Sequence, residues 1–238
     1  MKASNSLELI ATTVTQMSNS DGRDRSGLSI GKRPMNRPIR TGTDRDEARA
    51  RILKVAEQHF RRIGHHKTSV ADIALELGMS PANVYRFFPS RDAINESICE
   101  RLMSEVAELA LAIARTNAPA MEKLDRLLTA IHQHTKMTLV KERHMHDLIV
   151  TATQENWAII RAHIDRMVTI VEAIIREGVE AGEFVVDDAA EAARAVKSSF
   201  VPFFHPILIE HCVQHREDME ADLRDQIRFI LKALRKSH

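Results

Sequence analysis

The stretch Ser69–Ile94, SVADIALELGMSPANVYRFFPSRDAI, decides how this chain is read. Ser69 and Asp72 stand at capping-box spacing, so a helix begins there, and Val70, Ile73, Ala74 and Leu77 recur at three and four residues to mark its inward face. Gly78 ends that helix and supplies the flexible residue that a tight turn between two steeply crossing helices needs. Ser80 caps a short following helix, with Pro81 at its first position, where a missing N–H removes no helical bond. Ala74 is small where the two helices approach, and Val84 and Phe88 join Ile73 and Leu77 on the inside. Left outward are Ser80, Ala82, Asn83, Tyr85 and Arg86, flanked by Thr68 and Arg91. This is the pattern of a helix-turn-helix with a polar outer face suited to DNA.

Working outward, Asp44 and Glu47 repeat the capping spacing, and Ile52, Val55, Ala56, Phe60 and Ile63 form one stripe that Gly64 closes, predicting a helix over 44–63. Ser90 and Asp92 open a long helix to about Arg115. Further helices are expected near 120–139, 141–152, 155–181, 188–210 and 216–236, with breaks at 117–119, 182–188 and 212–216 and no strand. Pro202 and Pro206 should kink or split the helix that contains them. The expected fold is all-α: an N-terminal three-helix helix-turn-helix domain over 44–104, followed by a helical effector and dimerisation domain over 105–238.

Charge is distributed to match. The net charge of +1 divides into seven Lys/Arg against three Asp/Glu over residues 1–43, nine against nine over 44–100, and 18 against 21 beyond. Arg61 to Arg91 holds five bases and two acids, so a basic face can exist on a neutral domain. Residues 1–43 are polar, interrupted by Pro34 and Pro38, and read as a disordered basic arm able to follow the DNA backbone or enter a minor groove. A solvated tail is the alternative, as is a start at Met17 or Met35. Two cysteines, Cys99 and Cys212, make no disulfide framework, and neither a signal peptide nor an apolar run of membrane length is present, so the chain is expected in the cytoplasm without membrane contact.

Together with the preceding ARILKVAEQHFRRIGHHKTSV, the opening stretch resembles the DNA-binding domain of the TetR family of repressors, over about residues 44–104. The resemblance implies that Thr68 or Ser69 binds phosphate, that Ser80, Pro81, Ala82 and Asn83 sit at the groove-facing end of the reading helix, that Tyr85 and Arg86 touch phosphate or base edges, and that Arg91 holds backbone phosphate. The family commonly has Gly at Ala82, His at Phe87 and Lys at Arg91; Phe87 removes a polar contact, whereas Arg91 keeps the charge. One reading helix per chain covers one half-site, which implies a homodimer on a double-stranded, (pseudo)palindromic operator. A repressor released by a small-molecule effector, controlling efflux or stress genes, is the implied function.

Over 105–238 the resemblance is architectural. The last two helices would pair with a partner's copies through Ile207, Leu208, Val213, Leu223, Ile227, Ile230, Leu231 and Leu234, with packing inside one subunit as the alternative. Met137, Met145, Trp157, Ile160, Phe200 and Phe203 are the candidate lining of an effector pocket, because Met and aromatic side chains adapt to apolar ligands, with core packing as the alternative at helical spacing. Nine of the 12 histidines follow residue 104, and His211 and His215 share a helix face near Cys212, but tetrahedral zinc needs three or four converging ligands, so no metal and no cofactor is expected. Motifs of di-iron bundles, zinc proteases and phosphate loops are missing, which speaks against an enzyme.

Overall fold

Helix starts follow the capping residues. In the computed structural model, which describes residues 42–215 and 218–235, Ser69 accepts from Asp72 N at 3.1 Å while Asp72 Oδ2 accepts from Ser69 N at 3.0 Å, closing a capping box on α2 (Val70–Glu76). Ser80 accepts from Asn83 N to open α3 (Pro81–Tyr85), and Ser90 from Ala93 N to open α4 (Arg91–Ala114). Gly78 lies at φ +65°, a left-handed conformation that favours glycine, although a Cβ there would meet nothing. The first helix, α1, runs Gly42–Ile63, two residues earlier than expected. The basic arm is otherwise outside the described residues.

Seven more helices complete the described residues, which contain no strand: α5 (Ala120–Lys141), α6 (Arg143–Gln154), α7 (Ala158–Glu180), α8 (Ala189–Ser199), α9 (Val201–Phe204), α10 (Pro206–His215) and α11 (Met219–Leu234). The two prolines split the expected 188–210 helix into three pieces, Pro202 within the first turn of α9 and Pro206 heading α10. The break expected at 212–216 falls at its far end, since α10 continues to His215 and α11 begins at Met219. Asn156, at φ +54°, turns the chain before α7, which therefore starts three residues later than periodicity suggests. Pro119 offers no side-chain cap to α5, and Glu183 fills the role from the turn after α7, accepting from Ala120 N and Met121 N at 3.0 Å each. A carboxylate there also complements the positive end of the helix.

Two apolar cores result. One lies between α4, α5, α7 and the later helices and includes Leu124, Leu127, Ile174, Phe184, Phe200 and Ile227. The other supports the helix-turn-helix with Ile52, Ala56, Phe60, Ile73, Ala74, Val84, Phe88 and Ile98. That second core crosses the expected boundary at residue 104, because α6 adds Met145, Leu148 and Ala152 and α7 adds Ile160. Polar links follow the same route: Glu57 on α1 pairs with Arg61 and with Arg101 of α4, and Arg61 also reaches Glu142 just before α6. The anticipated dimer seam is revised by this packing. Leu223, Ile227, Ile230 and Leu234 are buried inside the subunit, since α11 turns that stripe onto α5 and α8, whereas Leu208 and Phe229 remain exposed.

Candidate DNA interface and internal cavity

The outer face of α3 is set by what its inner face buries. Val84 and Phe88 are essentially inaccessible, and this anchoring leaves Ser80, Pro81, Ala82, Asn83, Tyr85 and Arg86 exposed on one side. Ser80 Oγ spends an acceptor position on Asn83 N, so its hydroxyl proton is available to an outside acceptor. Arg91, at the start of α4, is half-buried. Exposed Lys67 and Arg86 add positive charge to this part of the surface.

The two residues to which the resemblance gives a phosphate are placed differently at the entrance to α2. Thr68 points inward: it is fully buried and its hydroxyl donates to Gly64 O at 3.0 Å, so the side chain closes the α1–α2 turn and does not face a phosphate. Ser69 is exposed, but its hydroxyl donates to Asp72 Oδ2 at 2.6 Å, and that bond, with the Ser69 N–H, holds the Asp72 carboxyl below its ordinary pKa. A phosphate at Ser69 must therefore compete with an ionised carboxylate.

Arg49 is a residue that sequence reading missed. From α1 its Nη1 donates to the Phe87 carbonyl at 2.5 Å while the guanidinium lies 4.2 Å from the centre of the Phe88 ring, tying the C-terminal end of the reading helix to α1. The spacing of 38 residues carries no local signal.

A cavity of about 220 Å³ lies in the C-terminal part, between α4, α5, α6, α7, α8 and α9. Its walls are chiefly aliphatic, including Leu102, Val106, Leu127, Met167 and Val171, with Phe204 as its one phenyl ring. Of the six residues expected to line a pocket, only Ile160 does. Met145 belongs to the core beneath the reading head, Phe200 and Phe203 to the larger core, Met137 is exposed, and Trp157 borders a separate surface groove with Glu96 and Glu100. Helix α6 presents Met145, Leu148 and Ala152 to the reading-head core and His146, Ile149 and Thr153 to the cavity. Burial pushes the His163 imidazole down to about 4, reinforced by Arg166, and lowers His146 as well, the latter opposed by Glu210. His211 and His215 stack with ring centres 4.0 Å apart, and no group of three metal-ligating side chains converges among the described residues.

A capped reading helix held outward on one core, and a second all-helical core enclosing a cavity, define a helix-turn-helix regulator. Residues 52–98 match the family model for bacterial regulatory proteins of the tetR family, and residues 120–224 match that for the tetracyclin repressor-like C-terminal domain. Together these span well over half of the chain, which belongs to the TetR family of DNA-binding transcriptional regulators, a non-enzymatic class. Among solved structures, a TetR-family transcriptional regulator from Pectobacterium atrosepticum is similar at TM-score 0.63 and 18% identity, covering 83% of this chain and 99% of that one. A TetR/AcrR-family regulator from Thermobifida fusca gives 0.56 and 22%, covering 80% and 100%. A protein from Saccharomonospora viridis, described as a transcriptional regulator and solved in complex with choline, gives 0.55 and 26%, covering 77% and 96%. No curated protein matches. No described helix is long and apolar enough to cross a membrane.

Proposed function

We propose that the protein is a cytoplasmic homodimeric repressor that binds a (pseudo)palindromic operator through α3 and is released when a small molecule occupies the cavity. The observation that carries this reading is the double allegiance of α6, whose one face packs on α1 and α4 in the core that also anchors the reading helix and whose other face lines the cavity. A ligand that shifts α6 changes the support of the reading head, and an effector coupling of about 1 to 3 kcal/mol needs no more than that. In this reading residues 44–104, with the α6 residues beneath them, grip DNA, and 105–238 bind the effector and the partner subunit. Ser80, Pro81, Ala82 and Asn83 lead into the major groove, Tyr85 and Arg86 touch base edges or phosphate, and Arg91 and Ser69 hold the backbone; Thr68 acts only through the turn. Exposed Leu208 and Phe229 suit a subunit interface through α10 and α11. Efflux or stress genes are the proposed targets, by analogy with the family alone.

Choline is not the effector we propose. A quaternary ammonium is held by aromatic faces or carboxylates, and among the described residues this cavity has a single phenyl ring, no carboxylate and a lysine, Lys197, at its edge. The test of the DNA assignment is to map the chain's bound genomic sites and titrate the recovered operator. Tyr85→Ala and Arg91→Ala should each weaken binding while the mass by light scattering stays that of a dimer. Undiminished affinity of both variants would refute the assignment of α3.

A further inference from the structure

The cavity restricts its occupant by size, charge and hydrogen bonding. An apolar cavity of about 150 Å³ accepts benzene, and sites for drug-sized ligands begin near 300 Å³. At about 220 Å³ the space fits one ring with a few further atoms. Among the described residues no carboxylate lines it, so a cation would lose its hydration without compensation. Its single permanently charged residue, Lys197, is exposed, which leaves an anion deep in the cavity without a buried partner.

Hydrogen-bonding capacity remains inside. His146, His163 and His205 line the cavity, and His146 Nε2, His163 Nδ1 and His205 Nδ1 have no hydrogen-bond partner among the described residues. His146 is 1% exposed. Glu210 Oε2 is the nearest carboxylate oxygen to its Nε2, at 3.5 Å, too long for a good bond, and Arg143 and Gln214 hold the same carboxylate by its other oxygen, Oε1. Burial favours the neutral imidazole at His146 and His163. A neutral ring nitrogen is a donor or an acceptor depending on the tautomer, and a hydroxyl answers either.

We infer that the cavity takes an uncharged, single-ring apolar molecule bearing a hydroxyl, the ring lying among Leu127, Met167, Val171 and Phe204 and the hydroxyl pairing with Nε2 of His146. This names the ligand class for the effector site proposed above and rests on that reading only for its regulatory consequence. Because His146 is on α6, the same bond engages the helix that supports the reading head.

Calorimetry on the full chain with four probes on one 4-ethylphenyl frame tests the inference: 4-ethylphenol, ethylbenzene, 4-ethylbenzoate and 4-ethylbenzylammonium. The phenol should bind about tenfold more tightly than ethylbenzene, the worth of one satisfied buried hydrogen bond, and more tightly than either ion. His146→Leu should abolish the preference for the phenol over ethylbenzene and His146→Gln should retain it. The histidine side-chain 15N spectrum of the unaltered protein gives a reading that needs no variant, with the His146 signal moving on addition of 4-ethylphenol and not of ethylbenzene. Tighter binding of ethylbenzene or of either ion, no binding of any probe, or an unaltered preference in folded His146→Leu overturns the ligand class. Should 4-ethylphenol bind as described yet leave operator affinity unchanged, the ligand class stands and the effector reading falls.

Discussion

Replacing Arg49 by alanine tests whether the reading helix depends on a support that touches no DNA. The substitution removes a charge-assisted bond to the Phe87 carbonyl at 2.5 Å and a guanidinium 4.2 Å from the centre of the Phe88 ring. A hydrogen bond to a charged group contributes about 1.5 to 3 kcal/mol, and a cation over an aromatic face about 0.5 to 1 kcal/mol at an exposed site. Arg49 is half-buried, so water can reach the vacated carbonyl, and the lower ends of both ranges apply. The expected loss of stability is about 2 kcal/mol. If each reading head then needs about 1 kcal/mol to order on DNA, a dimer loses roughly 30-fold in operator affinity. Urea unfolding measures the first quantity and fluorescence anisotropy against a labelled operator the second. Salt dependence separates support from contact: a lost phosphate contact lowers the slope of log K against log salt by about 0.9 per head, whereas a lost support leaves the slope unchanged. Arg49→Lys should recover little, because an ammonium keeps the charge without the planar group. A variant with wild-type stability and a reduced salt slope would show that Arg49 grips phosphate, and the argument from its packing would be wrong.

Three further outcomes follow from the same geometry. Asn83→Ala and Arg86→Ala should each reduce discrimination between the operator and single-base variants by about 1 to 3 kcal/mol at the base that each reads; a uniform loss across all sequences would identify a phosphate contact instead. Gly178→Ala puts a Cβ 2.2 Å from the Phe184 ring and 2.9 Å from Ala120 Cβ, and overpacking of about 1 to 3 kcal/mol, less about 1 kcal/mol of helix preference, should lower the melting temperature by several degrees. Stability should fall on acidification: burial, with His66 and Arg91 nearby, holds His65 down to about 4 against the opposing Asp147 and Glu155, so between pH 6.5 and 4 the unfolded chain binds a proton that the folded chain excludes. About 2 kcal/mol is lost by pH 5 through His65 on this account, and His163, held down to about 4 by burial, adds a like loss over the same window, so His65→Phe should roughly halve the urea-midpoint dependence there; an equally steep dependence in the variant would contradict it.

What could be read from the sequence is what depends on near neighbours. Ser69 with Asp72, Ser80 with Pro81, and Gly78 at a left-handed turn each act within four residues, and the helices they delimit appear where the residues say. The outward set on α3 was legible for the same reason, since Val84 and Phe88 mark the inner face of a helix too short to drift. Pro202 and Pro206 announced the division of α8, α9 and α10 through the backbone chemistry of proline.

Tertiary packing decided the rest. Periodicity identifies the apolar face of a helix, but not which neighbour that face meets, so both a pocket and a core were open to Met145 and Phe200, and the fold buried both in cores. A linear reading does not tell a cavity histidine from a solvent-exposed or core-bonded one, and only the convergence of α5, α6, α7 and the residue after α9 brings His134, His146, His163 and His205 around one space. Thr68 turned inward because the Gly64 carbonyl lay within reach, and Arg49 found Phe87 across 38 residues. Local chemistry thus determined the reading helix, whereas its support and the cavity depend on which distant surfaces the folded chain brings into contact.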